Sequence, residues 1–128
     1  MPAANPTIYA FNRTRRAYLA TDLKMAATHW SRLRGLMCTE AASFPAGKAL
    51  WIVPCRGVHT FAMRFPIDVV YLDHNKIVVH MENALAPWRV APVRMKAASV
   101  LELPQHVLAE TGTRVGDELE IATGEASQ

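Results

Sequence analysis

The sequence predicts a single mainly β domain, either a jelly-roll-like β-sandwich or a closed barrel, with one or two short helices. Apolar runs of strand length are numerous, turn residues separate them, and few segments show helical spacing. Strands and helices do not alternate along the chain, which argues against a doubly wound parallel sheet. The 128 residues suit one domain, 1–128, with its core at about 8–122 and loose termini at 1–6 and 123–128.

The first half of the chain contains four predicted strands and one predicted helix. Alternating residues predict strands at 8–12 and 16–21, on either side of Arg13-Thr14. A short helix is expected at 28–34, with Thr28 as its N-cap. Two further strands are expected at 49–53 and 58–64, and Pro54 ends the first of them because proline cannot continue a ladder.

The second half is predicted to begin with a β-hairpin. Strands at 67–72 and 77–81 flank Asp73-His74-Asn75-Lys76, whose residue types are typical of turns. Two closing strands are expected at 99–103 and 118–122, with about one helical turn at 106–111 between them. In the first of these strands Glu102 lies between two leucines, so we expect its side chain to face solvent or a cross-strand arginine.

Composition narrows the classes of function. The net charge of +3 and a pI near 9.1 are mildly basic, and the arginines at 13, 15 and 16 suggest a salt-sensitive interaction module as one alternative. Nucleic-acid binding is not favoured because no recognition motif is present. No signal peptide or membrane span is apparent, so we expect a cytoplasmic protein that is not a membrane protein. The two cysteines, Cys38 and Cys55, are expected to be reduced.

Polar side chains are concentrated between residues 59 and 68 of an otherwise apolar stretch. The leading hypothesis is therefore a non-catalytic domain that binds a small molecule or a protein and has no cofactor. The alternative for the histidine in this stretch is a structural role, hydrogen-bonded within the core. The candidate ligand-binding residues are Arg34, His59, Thr60, Met63, Asp68 and Trp88.

Two chemical alternatives use the same stretch. Cys55, His59 and Asp68 are the residue types of a Cys-His-acid triad, so a hydrolase-like enzyme that uses Cys55 and His59 is one alternative. A copper site formed by Cys55, His59 and Met63 is another, because thiolate, imidazole and thioether ligands suit that metal. Strand geometry argues against both alternatives, because only His59 and Met63 would certainly share a face.

Several motifs occur in the order found in a known family. They are Arg34-Gly35-Leu36-Met37, His59-Thr60-Phe61 with Met63, Pro66-Ile67-Asp68, Pro87-Trp88, Val100-Leu101-Glu102-Leu103 and Gly116-Asp117. Over residues 16–122 this pattern resembles domain-of-unknown-function family 192. The resemblance implies a compact, mainly β fold of the sandwich kind. It implies no reaction.

Overall fold

The computed structural model describes residues 7–28 and 35–124. These residues contain seven strands, a 3-10 turn at Ala41–Ser43 and one short helix, α1, at Val107–Thr111. The strands are β1 (Ile8–Asn12), β2 (Ala17–Ala26), β3 (Lys48–Ile52), β4 (Ile67–Leu72), β5 (Val78–Leu85), β6 (Ser99–Pro104) and β7 (Leu119–Thr123). They form one sheet in the order β5-β4-β6-β3-β2-β1-β7, in which only the β2–β3 pair is parallel.

The sheet is a curled half-barrel, so the prediction of a mainly β fold is confirmed. The prediction of a sandwich or a closed barrel is too specific, since all seven strands belong to one sheet and β5 and β7 remain its two edges. The edge strands meet only at one end, where the Val78 N–H donates to the Asp117 carbonyl at 2.9 Å and the Leu119 N–H donates to the Lys76 carbonyl at 2.9 Å. Strand twist explains this shape, because a strongly twisted sheet of this size curls upon itself.

The central strands are covered on both faces. Leu101 and Leu103 of β6 point into one apolar cluster with residues of β2, β4 and α1. Val100 points into the second cluster, which lies under the loops and includes Ile52, Met63, Val69 and Tyr71. Two-sided burial explains why β4 is apolar at every position except Asp68, and why apolar residues of β6 occupy adjacent positions rather than alternate ones.

The predicted hairpin is confirmed, since β4 and β5 pair in antiparallel fashion. Its turn is fixed by Asp73, whose Oδ1 accepts hydrogen bonds from the N–H groups of Asn75 at 2.8 Å and Ile77 at 3.0 Å. This is the side-chain-to-backbone bonding expected of aspartate in a turn. The strand that follows continues to Leu85, beyond the predicted end at residue 81.

The predicted strand at 58–64 is wrong. Only His59 forms a bridge, to Val90, and the chain then turns because the Met63 N–H donates to the Thr60 carbonyl at 3.2 Å. The turn breaks the expected alternation of faces. Met63 is 4% exposed and belongs to the core, whereas Phe61 is 41% exposed.

The N-terminal predictions are partly confirmed. The strand at 8–12 is β1, and the next strand is longer than predicted because it runs on to Ala26. The predicted helix at 28–34 lies almost wholly outside the described residues. Thr123 belongs to β7, and the Gly124 N–H donates to the Thr7 carbonyl at 3.0 Å. Within the described ranges, no helix has the length and apolar character needed to cross a bilayer.

Candidate functional site

A cavity of about 120 Å³ opens on the loop-covered face of the sheet. Strands β3 and β6 supply its floor, and two loop segments at 35–37 and 55–63 supply its walls. Its lining is mostly apolar but includes the Cys55 thiol, the His59 imidazole and the Glu102 carboxyl group. The lining residues are Gly35, Leu36, Met37, Ile52, Cys55, Gly57, Val58, His59, Met63 and Glu102.

Glu102 is the central polar group of this cavity, and the prediction that it faces solvent or an arginine is wrong. It lies in the middle of β6, between β3 and β4, and is only 2% exposed. Alternation along β6 does direct it away from its two leucine neighbours. The opposite face is covered by loops, however, so the carboxyl group is directed into the protein instead of into water.

The Glu102 carboxyl group lacks a full set of partners. Its Oε2 atom is buried and has no hydrogen-bond partner within the described ranges. Burial raises the pKa of this carboxyl group to about 8, because a charge in an apolar environment loses its hydration. The side chain therefore holds its proton at neutral pH. A buried polar atom without a partner calls for an explanation, and a ligand in the adjoining cavity is one.

Gly35 allows the chain to pass close to this carboxyl group. A Cβ atom at position 35 would lie 3.9 Å from Oε1 of Glu102 and 4.0 Å from its Oε2. The φ angle at Gly35 is +49°, in the left-handed region that glycine adopts without steric cost. A side chain at position 35 would therefore begin in van der Waals contact with the carboxyl group.

His59 is half-buried in the wall of the cavity. Its Nδ1 accepts a hydrogen bond from the Phe61 N–H at 3.2 Å. Its ring stacks on Phe61 at 4.9 Å between centroids, and Phe61 in turn stacks on Trp88 at 6.1 Å. Trp88 is therefore placed outside the cavity, at the end of a row of three rings.

Thr60 and Asp68 have structural partners rather than free polar atoms. The Thr60 hydroxyl donates to the Ala86 carbonyl at 2.6 Å and accepts from the Arg89 N–H at 2.8 Å. The two carboxylate oxygens of Asp68 accept from the N–H groups of Ala84 and Leu108, each at 2.9 Å. Both residues are buried, and neither lines the cavity around Glu102.

Three residues of the proposed copper site do converge on the cavity. Cys55, His59 and Met63 all contribute to its lining, although the first of them donates its thiol hydrogen to the Gly57 carbonyl at 2.9 Å. Residues 7–28 and 35–124 contain no cluster of three or more His, Cys, Asp or Glu side chains placed to hold a metal ion. Arg34, the remaining predicted ligand-binding residue, lies outside the described residues.

The family model of DUF192, described as "Uncharacterized ACR", matches residues 10–121. The chain belongs to this family. A UPF0127 protein of Thermococcus sibiricus is 30% identical over 114 residues, which cover 85% of this chain and 71% of that protein. A UPF0127 protein of Pyrococcus furiosus is 29% identical over 114 residues, which cover 85% and 94% of the two chains. Family membership confirms the resemblance drawn from the sequence motifs and assigns no activity.

The same fold occurs in a solved structure. A protein of unknown function from Novosphingobium aromaticivorans superposes with a TM-score of 0.76 at 18% sequence identity, over 92% of this chain and 94% of the other. This similarity extends over nearly the whole half-barrel. It shows that the fold persists at low sequence identity, and it carries no information about a ligand.

Proposed function

We propose that this protein is a cytoplasmic, non-catalytic domain that binds a small molecule in the cavity beside Glu102. The observation that carries the proposal is the buried Glu102 side chain, which lines the cavity and whose Oε2 atom has no hydrogen-bond partner among the described residues. A site with an apolar lining and a few polar anchors is the usual form of a small-molecule site. The exposed thiol of Cys38, which is not joined to Cys55 in a disulfide, suits a reducing compartment.

The size of the cavity limits the ligand. An apolar cavity of about 150 Å³ accepts a molecule the size of benzene, and the cavity here is about 120 Å³. The inserted part of the ligand is therefore a short alkyl chain or a small ring. Leu36, Ile52 and Val58 would surround this part with apolar side chains.

The state of Glu102 defines the polar end of the ligand. With its pKa raised to about 8 by burial, the carboxyl group is protonated at neutral pH and can donate a hydrogen bond. A neutral acceptor such as a carbonyl or hydroxyl group would satisfy it without any charge being buried. An ammonium group would instead require both partners to be desolvated as ions, which is costly. We therefore favour a neutral polar group.

Matched probes of equal length test this proposal. Butanamide and n-butanol present neutral polar groups, and n-butylamine presents an ammonium group. A ligand at about one hundred times its dissociation constant stabilises its protein by about 2.7 kcal/mol, which shifts the melting temperature by several degrees. We expect the neutral probes to give a saturable shift at pH 7 that Glu102→Leu removes.

The control variant is Glu40→Leu, which alters a carboxylate that lies outside the cavity and is 63% exposed. It should respond to the probes as the wild type does. A shift that persists in Glu102→Leu would place the ligand elsewhere, and the absence of any saturable shift would remove the support for a neutral ligand. A response to butylamine alone, growing as the pH rises past 8, would reverse the assignment of the polar group.

A second candidate function is catalysis by Cys55, because both Cys55 and His59 line the same cavity as Glu102. Such an enzyme requires a thiolate at neutral pH, and a thiolate reacts rapidly with iodoacetamide. Cys38 is an internal reference because it is more exposed than Cys55. Faster alkylation of the less exposed Cys55 would support the enzyme, whereas slower alkylation would contradict it.

A further inference from the structure

A second surface, distinct from the lining of the cavity, is both basic and apolar. It lies on two chain segments, 56–61 and 88–96, and five large apolar side chains are exposed there. They are Phe61, Trp88, Val90, Val93 and Met95. Four exposed cations lie on the same two segments, namely Arg56, Arg89, Arg94 and Lys96. We call these nine residues the basic apolar face.

Hydrogen bonds hold the two segments together. The Arg94 N–H donates to the Arg56 carbonyl at 2.8 Å, and the Thr60 N–H donates to the Arg89 carbonyl at 2.8 Å. Between these points, Val93 packs so closely on Gly57 that a Cβ atom on the glycine would lie 3.2 Å from Cγ2 of the valine. The face therefore rests on a defined backbone, so that little backbone freedom would be lost on binding.

Trp88 has a conformation that its own packing does not explain. Its φ angle is +62°, which is unfavourable for a bulky residue, and its side chain is still 65% exposed. A backbone hydrogen bond holds this conformation, since the Trp88 N–H donates to the Thr60 carbonyl at 2.9 Å. Backbone strain that places a large aromatic ring in solvent is typical of a binding residue.

Charges are unevenly distributed along the chain, and four of the six cations in its two stretches without acidic residues belong to the basic apolar face. Residues 41–67 and 83–101 carry six of the 14 Lys and Arg residues and none of the 11 Asp and Glu residues, so the rest of the chain has a net charge of −3. Arg56, Arg89, Arg94 and Lys96 form no ion pair with any carboxylate in the part of the chain that the structure describes. An acidic partner would supply the missing counter-charges.

We propose that the basic apolar face binds an acidic segment of another protein that also carries large apolar side chains. Exposed Trp, Phe, Met and Arg, without Asp or Glu, form the composition that marks the centres of protein–protein interfaces. Nucleic acid is a less suitable partner, because the exposed valines and the methionine have no ring on which a base could stack. A second copy of this chain would oppose its own cations in a symmetric dimer, and like charges in an interface are repulsive.

Selection from a random peptide library on the purified protein tests the proposal. We expect the selected peptides to combine Asp or Glu with Leu, Ile, Phe or Trp. A fluorescein-labelled copy of the most enriched peptide should lose about tenfold or more in affinity with Trp88→Gly and with Arg94→Glu. It should also bind less tightly as the salt concentration rises, since exposed charges are screened.

Two variants serve as controls, because each changes an exposed apolar or basic residue elsewhere on the molecule. Val115→Ser removes an apolar side chain and Arg16→Glu reverses a charge, and both should leave the affinity unchanged. Trp88→Gly should keep a melting temperature within about 3 °C of the wild type, because glycine adopts a positive φ freely. Glu102→Leu should also leave peptide binding intact, because the cavity is not used.

Five outcomes would overturn the proposal. Selected peptides without an acidic excess, or an affinity that Trp88→Gly does not change, would remove the acidic protein segment as the partner. Trp88-dependent co-sedimentation with phosphatidylglycerol vesicles would assign the face to anionic lipid, and Trp88-dependent binding of oligothymidine would assign it to nucleic acid. A concentration-dependent dimer that Trp88→Gly abolishes would assign it to a second copy of the chain.

Discussion

Glu102→Gln retains the size of the buried side chain in β6 but removes its titration, so it isolates the contribution of this one group to stability. The pKa of the Glu102 carboxyl group is raised by burial to about 8 from an ordinary value of 4.5. Below pH 4.5 the group is protonated in both the folded and the unfolded chain, so it does not lower the free energy of unfolding. Between 4.5 and 8 only the folded chain retains the proton, so the free energy of unfolding decreases as the pH rises.

The magnitude follows from the difference between the two pKa values. One pKa unit corresponds to about 1.4 kcal/mol. The group therefore lowers the free energy of unfolding by about 5 kcal/mol once the pH is well above 8. Between pH 5 and pH 9 the expected loss is about 4 kcal/mol, and most of it is complete by pH 8. Domains are typically stable by about 5–15 kcal/mol, so a loss of this size is readily measured.

The assay is urea unfolding of wild type and Glu102→Gln at intervals between pH 5 and pH 9. The difference in unfolding free energy between the two proteins should change by about 4 kcal/mol in favour of the variant over this range. Glu118→Gln is the matched control, because it makes the same substitution at an exposed carboxylate. A constant difference between wild type and Glu102→Gln would refute the reasoning and show that the carboxyl group is not desolvated.

Three further substitutions test how the surrounding structure is held. Thr60→Val keeps the shape of the side chain but removes its bonds to the 86–89 segment, so we expect a loss of about 1–3 kcal/mol in urea unfolding. Asp68→Asn places amide hydrogens where one carboxylate accepts two backbone N–H groups, with an expected loss of about 2 kcal/mol by the same measurement. Asp117 is stabilised as a carboxylate, since hydrogen bonds from Asn12 and Arg15 outweigh the effect of burial and lower its pKa. Its contribution is present above its ordinary pKa and is lost as the pH falls through the folded value, so Asp117→Asn should flatten the acid-unfolding curve followed by circular dichroism.

The sequence predicted best those parts of the fold that depend on nearby residues. The hairpin at 67–81 was found because Asp73 makes its turn bonds to residues two and four positions away. The segment at 58–64 was mistaken for a strand because its conformation depends on distant partners. Thr60 bonds to residues near position 88, and no local pattern reveals bonds between segments so far apart in the chain.

The candidate site was predicted in part. His59 and Met63, which the sequence places on one face of a pocket, do line the cavity. The polar atoms of Thr60 and Asp68 instead make hydrogen bonds within the protein. Glu102 was missed because alternation shows which residues share a face and does not show whether loops cover that face. A signal was available, since Glu102 is the only charged residue between Ser99 and Pro104 in an otherwise apolar run. Such a run is typical of a central strand buried on both faces.

The cavity and the basic apolar face share one segment, so their functions can be separated only by variants that affect one at a time. Residues 57–59 line the cavity, while Phe61 is exposed on the face. Thr60 lies between them and fixes the segment to its neighbour, so Thr60→Val should weaken small-molecule and peptide binding together. Glu102→Leu should affect only the cavity, and Trp88→Gly only the face. If Glu102→Leu and Trp88→Gly each impaired both kinds of binding, the two proposed sites would have to be treated as one.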